Sequence, residues 1–270
     1  MPKSKSVEDY LLVEERDATS LAAYLTCPAG AFLKYVCDAY DAFRYCELRF
    51  TKKNDGSYNK DSKESLNHIS CSLLATVMGH FETYQKSLLA GLIDWSINID
   101  AFKFDDFRKS ISRSGSLDFE VDLSRMLAQR GSPAHVGYVI ADSMGGWHNP
   151  SKVNAYFQGL GIKANALSNE QVADLRVLWQ IRHSIVHTGA YITAADSQKV
   201  ERLSEWSDCP IIFNHFFYNW FSRKMHRITQ DVNNRLHAAC NAGLKASATQ
   251  GAKDSLTRFL KVSSPKQVWL

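Results

Sequence analysis

Within the 270 residues, the run Arg182-His183-Ser184-Ile185-Val186-His187 has the densest concentration of side chains able to do chemistry. A guanidinium can grip a phosphate through two parallel hydrogen bonds and offset charge there. An imidazole that titrates near neutrality can take or give a proton. His183 and His187 are four apart and share one face of a helix, while Ile181, Ile185 and Val186 supply its other sides. His187 also lies next to a stop at Thr188-Gly189, where the negative end of the helix dipole favours an imidazolium. By composition alone, such a turn is more often a solvated helix end than a site. The shared face and the helix end are what set this one apart.

The element carrying these residues has a definite start. Ser168-Asn-Glu-Gln171 has the form of a capping box, and Val172, Leu175, Leu178, Trp179, Ile181 and Ile185 follow at helical spacing. Upstream, a helix is predicted over 28–48 after Pro28, and a long one over 66–97 with Leu66, Ser70, Leu73, Val77, Phe81, Tyr84, Leu88 and Leu92 in its stripe. A mixed acidic and apolar stretch at 7–25 is also read as helical, and the polar run 51–63, with its Asn-Asp-Gly turn signal, as an exposed loop. Between 100 and 165 shorter helices are expected at 104–111, 117–129 and 150–159. A further helix follows Thr193, and 210–213 is an extended link. A long amphipathic helix then runs over 213–245, with Phe217, Phe221, Met225, Ile228, Val232 and Leu236 on one side. No alternating strand set stands out, so the fold class is all-α.

Composition narrows the rest. Apolar residues at 45% and charged residues at 22% are ordinary for a globular chain. No apolar run approaches the ~18–20 residues of a membrane span, and no basic n-region with an apolar h-region opens the chain. A cytoplasmic protein without membrane contact is expected. Six cysteines show no pair at metal or redox spacing and read as small buried hydrophobes without disulfides. The net charge of +4 is unevenly placed: residues 201–270 hold ten Lys/Arg against five Asp/Glu, whereas 1–200 hold 22 against 23. That excess permits a polyanionic partner.

An arginine, a polar residue directly after it and a histidine four residues further on, all on a helix of an all-α domain, resemble the motif of the HEPN superfamily of ribonucleases. Its pattern is Arg-x4–6-His with Asn, Asp or His favoured after the Arg, and Arg182, His183 and His187 match it. The long 66–97 helix with Tyr84 is similar to the first helix of the HEPN bundle, and the resemblance spans about 66–206. It implies a helical extension over 1–65, a HEPN-like catalytic bundle over 66–206, and a C-terminal long helix and tail over 207–270 packed on that bundle. It further implies a metal-independent, cofactor-free endoribonuclease acting as a homodimer. The ribose 2′-OH would attack the adjacent phosphate and leave a 2′,3′-cyclic phosphate and a 5′-OH. Arg182 would bind phosphate, His187 would be the general acid/base, and His183 would position either one. A toxin or antiviral defence role, with an antitoxin or regulatory partner protein, goes with that reading. Its alternative is a non-catalytic helical interaction or regulatory module. Some HEPN toxins carry a modified Tyr two residues after the motif His; here Gly189 stands there, and the nearest Tyr is Tyr191.

Spacing bears on the dimer. Arg182 and His187, five apart, are ~140° around and ~7.5 Å along a helix, so they converge best on a broad groove of the kind two facing copies would make. Other candidate chemistry is thinner. His183-x3-His187 lacks the intervening Glu of a zincin and a third ligand, so no metal site is expected. Asp105-Asp106 and Glu14-Glu15 diverge as sequence neighbours on a helix, and no phosphate loop, dinucleotide fingerprint or nucleophile elbow occurs. The aromatic run 215–221 reads as core or interface. Arg223, Arg227 and Asn234 form a polar stripe, read first as a solvated face and second as an RNA track in which Arg223 and Arg227 touch phosphate.

Overall fold

The computed structural model describes residues 20–113 and 135–270, so the helix expected at 117–129 and most of the stretch at 7–25 lie outside the described residues. Among the described residues the chain is mostly helical, as expected of an all-α protein, with only a two-residue strand pair for sheet. No described helix is long and apolar enough to cross a membrane.

Helices α1 (Leu21–Thr26) and α2 (Pro28–Arg49) open the described chain, with Pro28 at the first helical position where its missing N–H costs nothing. The central element is α3 (Lys60–Trp95). It starts six residues before the expected position because Asn59 caps it, accepting the Ser62 N–H at 2.8 Å, and its first turns are polar and carry no apolar signal. Its stripe is buried as read at Leu66, Val77, Phe81, Tyr84, Leu88 and Leu92, while Leu73 is only half-buried and Leu74 takes its place in the core.

Helix α4 (Phe104–Arg113) packs on a later helix, α6 (Pro150–Gly159), while α5 (Val136–Ser143), α6 and α7 (Asn169–His187) lie against α3. Helix α5 has no strong signal in the sequence. It forms because Gly137 lets it lie directly against α3: a Cβ there would overlap the Ala90 carbonyl, and the Asp94 carboxylate accepts the Gly137 N–H at 2.8 Å. After α7 come a strand Tyr191–Ile192 (β1), a short α8 (Ala194–Gln198) and a 3₁₀ turn at Glu201–Trp206. Strand β2 (Cys209–Pro210) then pairs antiparallel with β1.

Helix α9 (Phe217–Ala242) packs on α2, and α10 (Gln250–Phe259) returns over it. The extended link runs on through Asn214, so α9 starts later than expected, and Gly243 ends it by donating to the Ala239 and Cys240 carbonyls. One buried apolar cluster runs through Phe32 and Val36 of α2, Phe81 and Leu88 of α3, Leu175 of α7, and Phe221 and Met225 of α9. A smaller one, of Cys71, Ile192, Leu203 and Ile211, lies under the β1–β2 turn and is joined by Ile181 and Ile185. All six cysteines are free, with Cys37, Cys71 and Cys240 buried.

Candidate active site

The capping box at the start of α7 is fully formed: Ser168 Oγ accepts the Gln171 N–H at 3.2 Å and Gln171 Oε1 accepts the Ser168 N–H at 3.0 Å. At the other end the Ser184 carbonyl accepts the Thr188 N–H and the Ala190 N–H, each at 3.1 Å, and the Thr188 hydroxyl at 2.8 Å. Gly189 and Ala190 both sit at positive φ, 66° and 64°. Glycine takes that conformation at no cost, whereas Ala190 needs its neighbours to hold it there. Its carbonyl does so by accepting the Ile211 N–H at 2.7 Å, which fastens the end of α7 to the β2 segment.

On this helix Leu175, Leu178, Trp179 and Ser184 are buried, while His183, Val186 and His187 face outward. The imidazoles of His183 and His187 lie with ring centroids 4.6 Å apart and planes at 44°. Arg182 is half-buried, and its Nε, with no water access, has no hydrogen-bond partner among the described residues. That N–H is unpaired and shielded from solvent, so an anion would have to be met by the rest of the half-buried guanidinium.

The sequence reading missed what stands behind His183. Asp196, buried at the start of α8, has Oδ1 4.0 Å from His183 Nε2 and 2.8 Å from Lys199 Nζ, while the Ser184 hydroxyl reaches Oδ2 at 3.4 Å. Thr193 caps α8 by accepting the Asp196 N–H at 3.1 Å. That Thr-x-x-Asp pattern is visible in the sequence; its contact with His183 across the β1 turn is not. The hydrogen bond from Lys199 holds the Asp196 carboxyl below the ordinary carboxylate range, so it stays an anion. Partial loss of water around His183 and the charge of neighbouring His187 push its pKa below the ordinary imidazole value, with Asp196 opposing them. The His183 ring therefore gives up a proton more readily than an ordinary imidazole.

The remaining residues of interest lie elsewhere. Arg223 on α9 stacks over Trp269 at 5.7 Å and donates to Asn219 at 3.3 Å, and Arg227 is exposed. Neither makes a hydrogen bond, ion pair or ring contact with Arg182, His183 or His187. Their neighbour Lys224 pairs with Glu170 and Asp174, at the N-terminal end of the motif helix. The aromatic run divides: Tyr218 and Phe221 are core, whereas Phe216 and Trp220 are exposed. Asp105 and Asp106 are exposed in the first turn of α4. Among the described residues no three His, Cys, Asp or Glu side chains meet as ligands for a metal ion. No family model matches the chain, and neither a curated protein nor a solved structure is similar enough to it to place it in a family.

Proposed function

We propose that this chain is a metal-independent endoribonuclease of HEPN type that works as a homodimer. The observation that carries the reading is the exposed His183–His187 pair, backed by the buried Asp196 anion and adjoined by the half-buried Arg182. A general base, His187 in one copy, takes the proton from a ribose 2′-OH. The freed oxygen attacks the neighbouring phosphorus and the P–O5′ bond breaks. The departing 5′ oxygen collects a proton from the other copy's imidazole, leaving a 2′,3′-cyclic phosphate and a 5′-OH. Arg182 offsets the charge that grows on the phosphoryl oxygens, and His183, oriented by Asp196, holds its ring neighbour in place. Val186, apolar and half-exposed between the two histidines, gives two copies a surface to share. DNA, which lacks the 2′-OH, is not cut. A host must keep such an enzyme silent, which fits a toxin or antiviral effector with a regulatory partner protein.

The test is purified protein with total RNA, with and without EDTA, beside Arg182→Ala and His187→Ala. Cleavage that survives EDTA, leaves cyclic-phosphate ends and disappears in both variants without loss of helicity supports the proposal. Variants cutting at the parent rate, or a parent stopped by EDTA, overturn it. Sedimentation at about twice 30.5 kDa is expected at micromolar concentration; an active monomer overturns the shared groove. The non-catalytic interaction module draws on a different observation, the exposed Ile212, Phe216 and Trp220. It predicts no cleavage by the parent.

A further inference from the structure

Two adjoining hollows lie between the start of α3 and the segment that follows β2. They measure about 450 and 300 Å³ and share Tyr58, Lys63, Asn67 and Ile212. Volumes of this order suit a nucleotide-sized group. The floor is apolar, from the buried Phe43, Tyr58 and Leu66 and the half-buried Phe213, while Lys53, Lys60, Lys63 and Glu64 stand at the rim. Lys60 pairs with Glu64 at 3.7 Å. Lys53 and Lys63 are exposed and reach no carboxylate within ion-pair distance among the described residues. An apolar floor beneath exposed ammonium groups suits a ligand with an apolar face and an anionic group, a base and its phosphate among them.

The cleft is preformed. Asn67 Nδ2 donates to the Ile211 carbonyl at 3.0 Å and its Oδ1 accepts the Phe213 N–H at 2.8 Å, which ties both walls together. Tyr58 donates its hydroxyl to the Glu47 carbonyl at 3.2 Å, and Lys52 lies 4.9 Å over its ring. A ligand therefore meets walls already in place, and little ordering opposes its binding. The cleft also connects to the motif helix: Ile211 donates to Ala190, and Ala190 donates to Ser184, one residue from His183.

We propose that this cleft is a binding subsite for single-stranded RNA, taking a nucleotide that flanks the bond to be cut, with its base over the apolar floor and its phosphates on Lys53 and Lys63. The choice of RNA as occupant rests on the nuclease reading; the excess of Lys53 and Lys63 over Glu64 at the rim favours an anion whichever reading holds. It is a different place from the Arg223–Arg227 stripe, where Arg223 is already engaged with Trp269.

The test uses a short fluorescent 2′-O-methyl oligoribonucleotide, which has no free 2′-OH and cannot be cut, so binding is measured apart from chemistry. Lys53→Ala with Lys63→Ala, both at exposed positions, should raise Kd about tenfold and lower the slope of log K against log salt by roughly 1.4, two contacts at ~0.7 each. Lys253→Ala with Lys261→Ala removes the same charge elsewhere and should leave Kd within about twofold. An unchanged Kd and slope in the first pair, or an equal loss in the second, overturns the subsite. So does a parent protein that binds a fluorescent fatty acid in the cleft and not the oligonucleotide. A chain that cuts no RNA yet loses oligonucleotide affinity only in the first pair refutes the nuclease reading and keeps this one.

Discussion

The protein uses histidine in two opposite ways. His226 on α9 is 0% exposed. Its Nδ1 lies 2.8 Å from the Ser222 carbonyl, which can only accept, so that nitrogen carries the proton; Nε2 then accepts the Ser264 hydroxyl at 2.8 Å. The Cys37 thiol is 3.7 Å away and the Trp269 ring meets the imidazole edge-on at 4.9 Å. Every hydrogen-bonding position of that ring is taken, and it pins the C-terminal tail to α2 and α9. His183 and His187 stand on an outward helix face, and Asp196 Oδ1 lies 4.0 Å from His183 Nε2, beyond hydrogen-bond reach. The same side chain is a fastener where its bonds are saturated and, under the proposed function, a reagent where they are not. Access and unused hydrogen-bonding capacity make that difference, since both sites sit on regular helices.

That contrast breaks most clearly under substitution. His187→Ala should lower RNA cleavage by roughly 10²–10⁴-fold, the usual contribution of a positioned acid or base, with the melting temperature unchanged. His226→Ala should do the reverse, costing about 2–4 kcal/mol of stability in a urea melt because it leaves a cavity and removes the imidazole acceptor of the Ser264 hydroxyl, with cleavage per folded molecule retained. If His226→Ala left stability intact and removed activity, the two roles would have to be exchanged.

Acidification gives a smaller effect. Burial holds the pKa of His226 below the ordinary imidazole value. The unfolded chain then binds a proton more readily than the folded one, so stability falls as pH drops below about 6.5. The slope approaches ~1.4 kcal/mol per pH unit between the unfolded and folded values. His226→Asn should flatten that slope, and a melt series from neutral to mildly acidic pH reads it. A slope as steep in the variant as in the parent would assign the proton to another group. The smallest effect falls on the face that carries His183 and His187. Asp196 raises the proton affinity of His183 against the other influences on it. Asp196→Asn should therefore move the His183 titration to lower pH in NMR spectra of the ring protons. An upward movement would place the carboxylate's influence elsewhere.

The local signals held where the physics is local. Pro28, Ser168, Thr188-Gly189 and Thr193 each mark a helix boundary that the structure keeps, because a cap or a stop satisfies backbone groups within four residues of itself. The expected starts at 66 and 213 missed by six and four residues, since a polar first turn and an extended aromatic link leave no trace in apolar periodicity. Helix α5 went unread because its reason for existing is the close approach of Gly137 to Ala90 on another helix.

The amino-acid order alone sets the adjacency of His183 and His187 and the end of their helix, for a turn of 3.6 residues places them together whatever surrounds it. The groups that give those side chains their chemistry come from folding. Asp196 arrives behind His183 only when the β1 turn closes on Ile211, and the lysine-rimmed cleft exists only where the start of α3 meets the segment after β2. Cys37, His226 and Ser264 meet across most of the chain's length. Periodicity repeats every few residues and so reports on one helix at a time. Which helices touch is settled by the burial of their apolar faces against one another, a quantity that no single stretch of sequence carries.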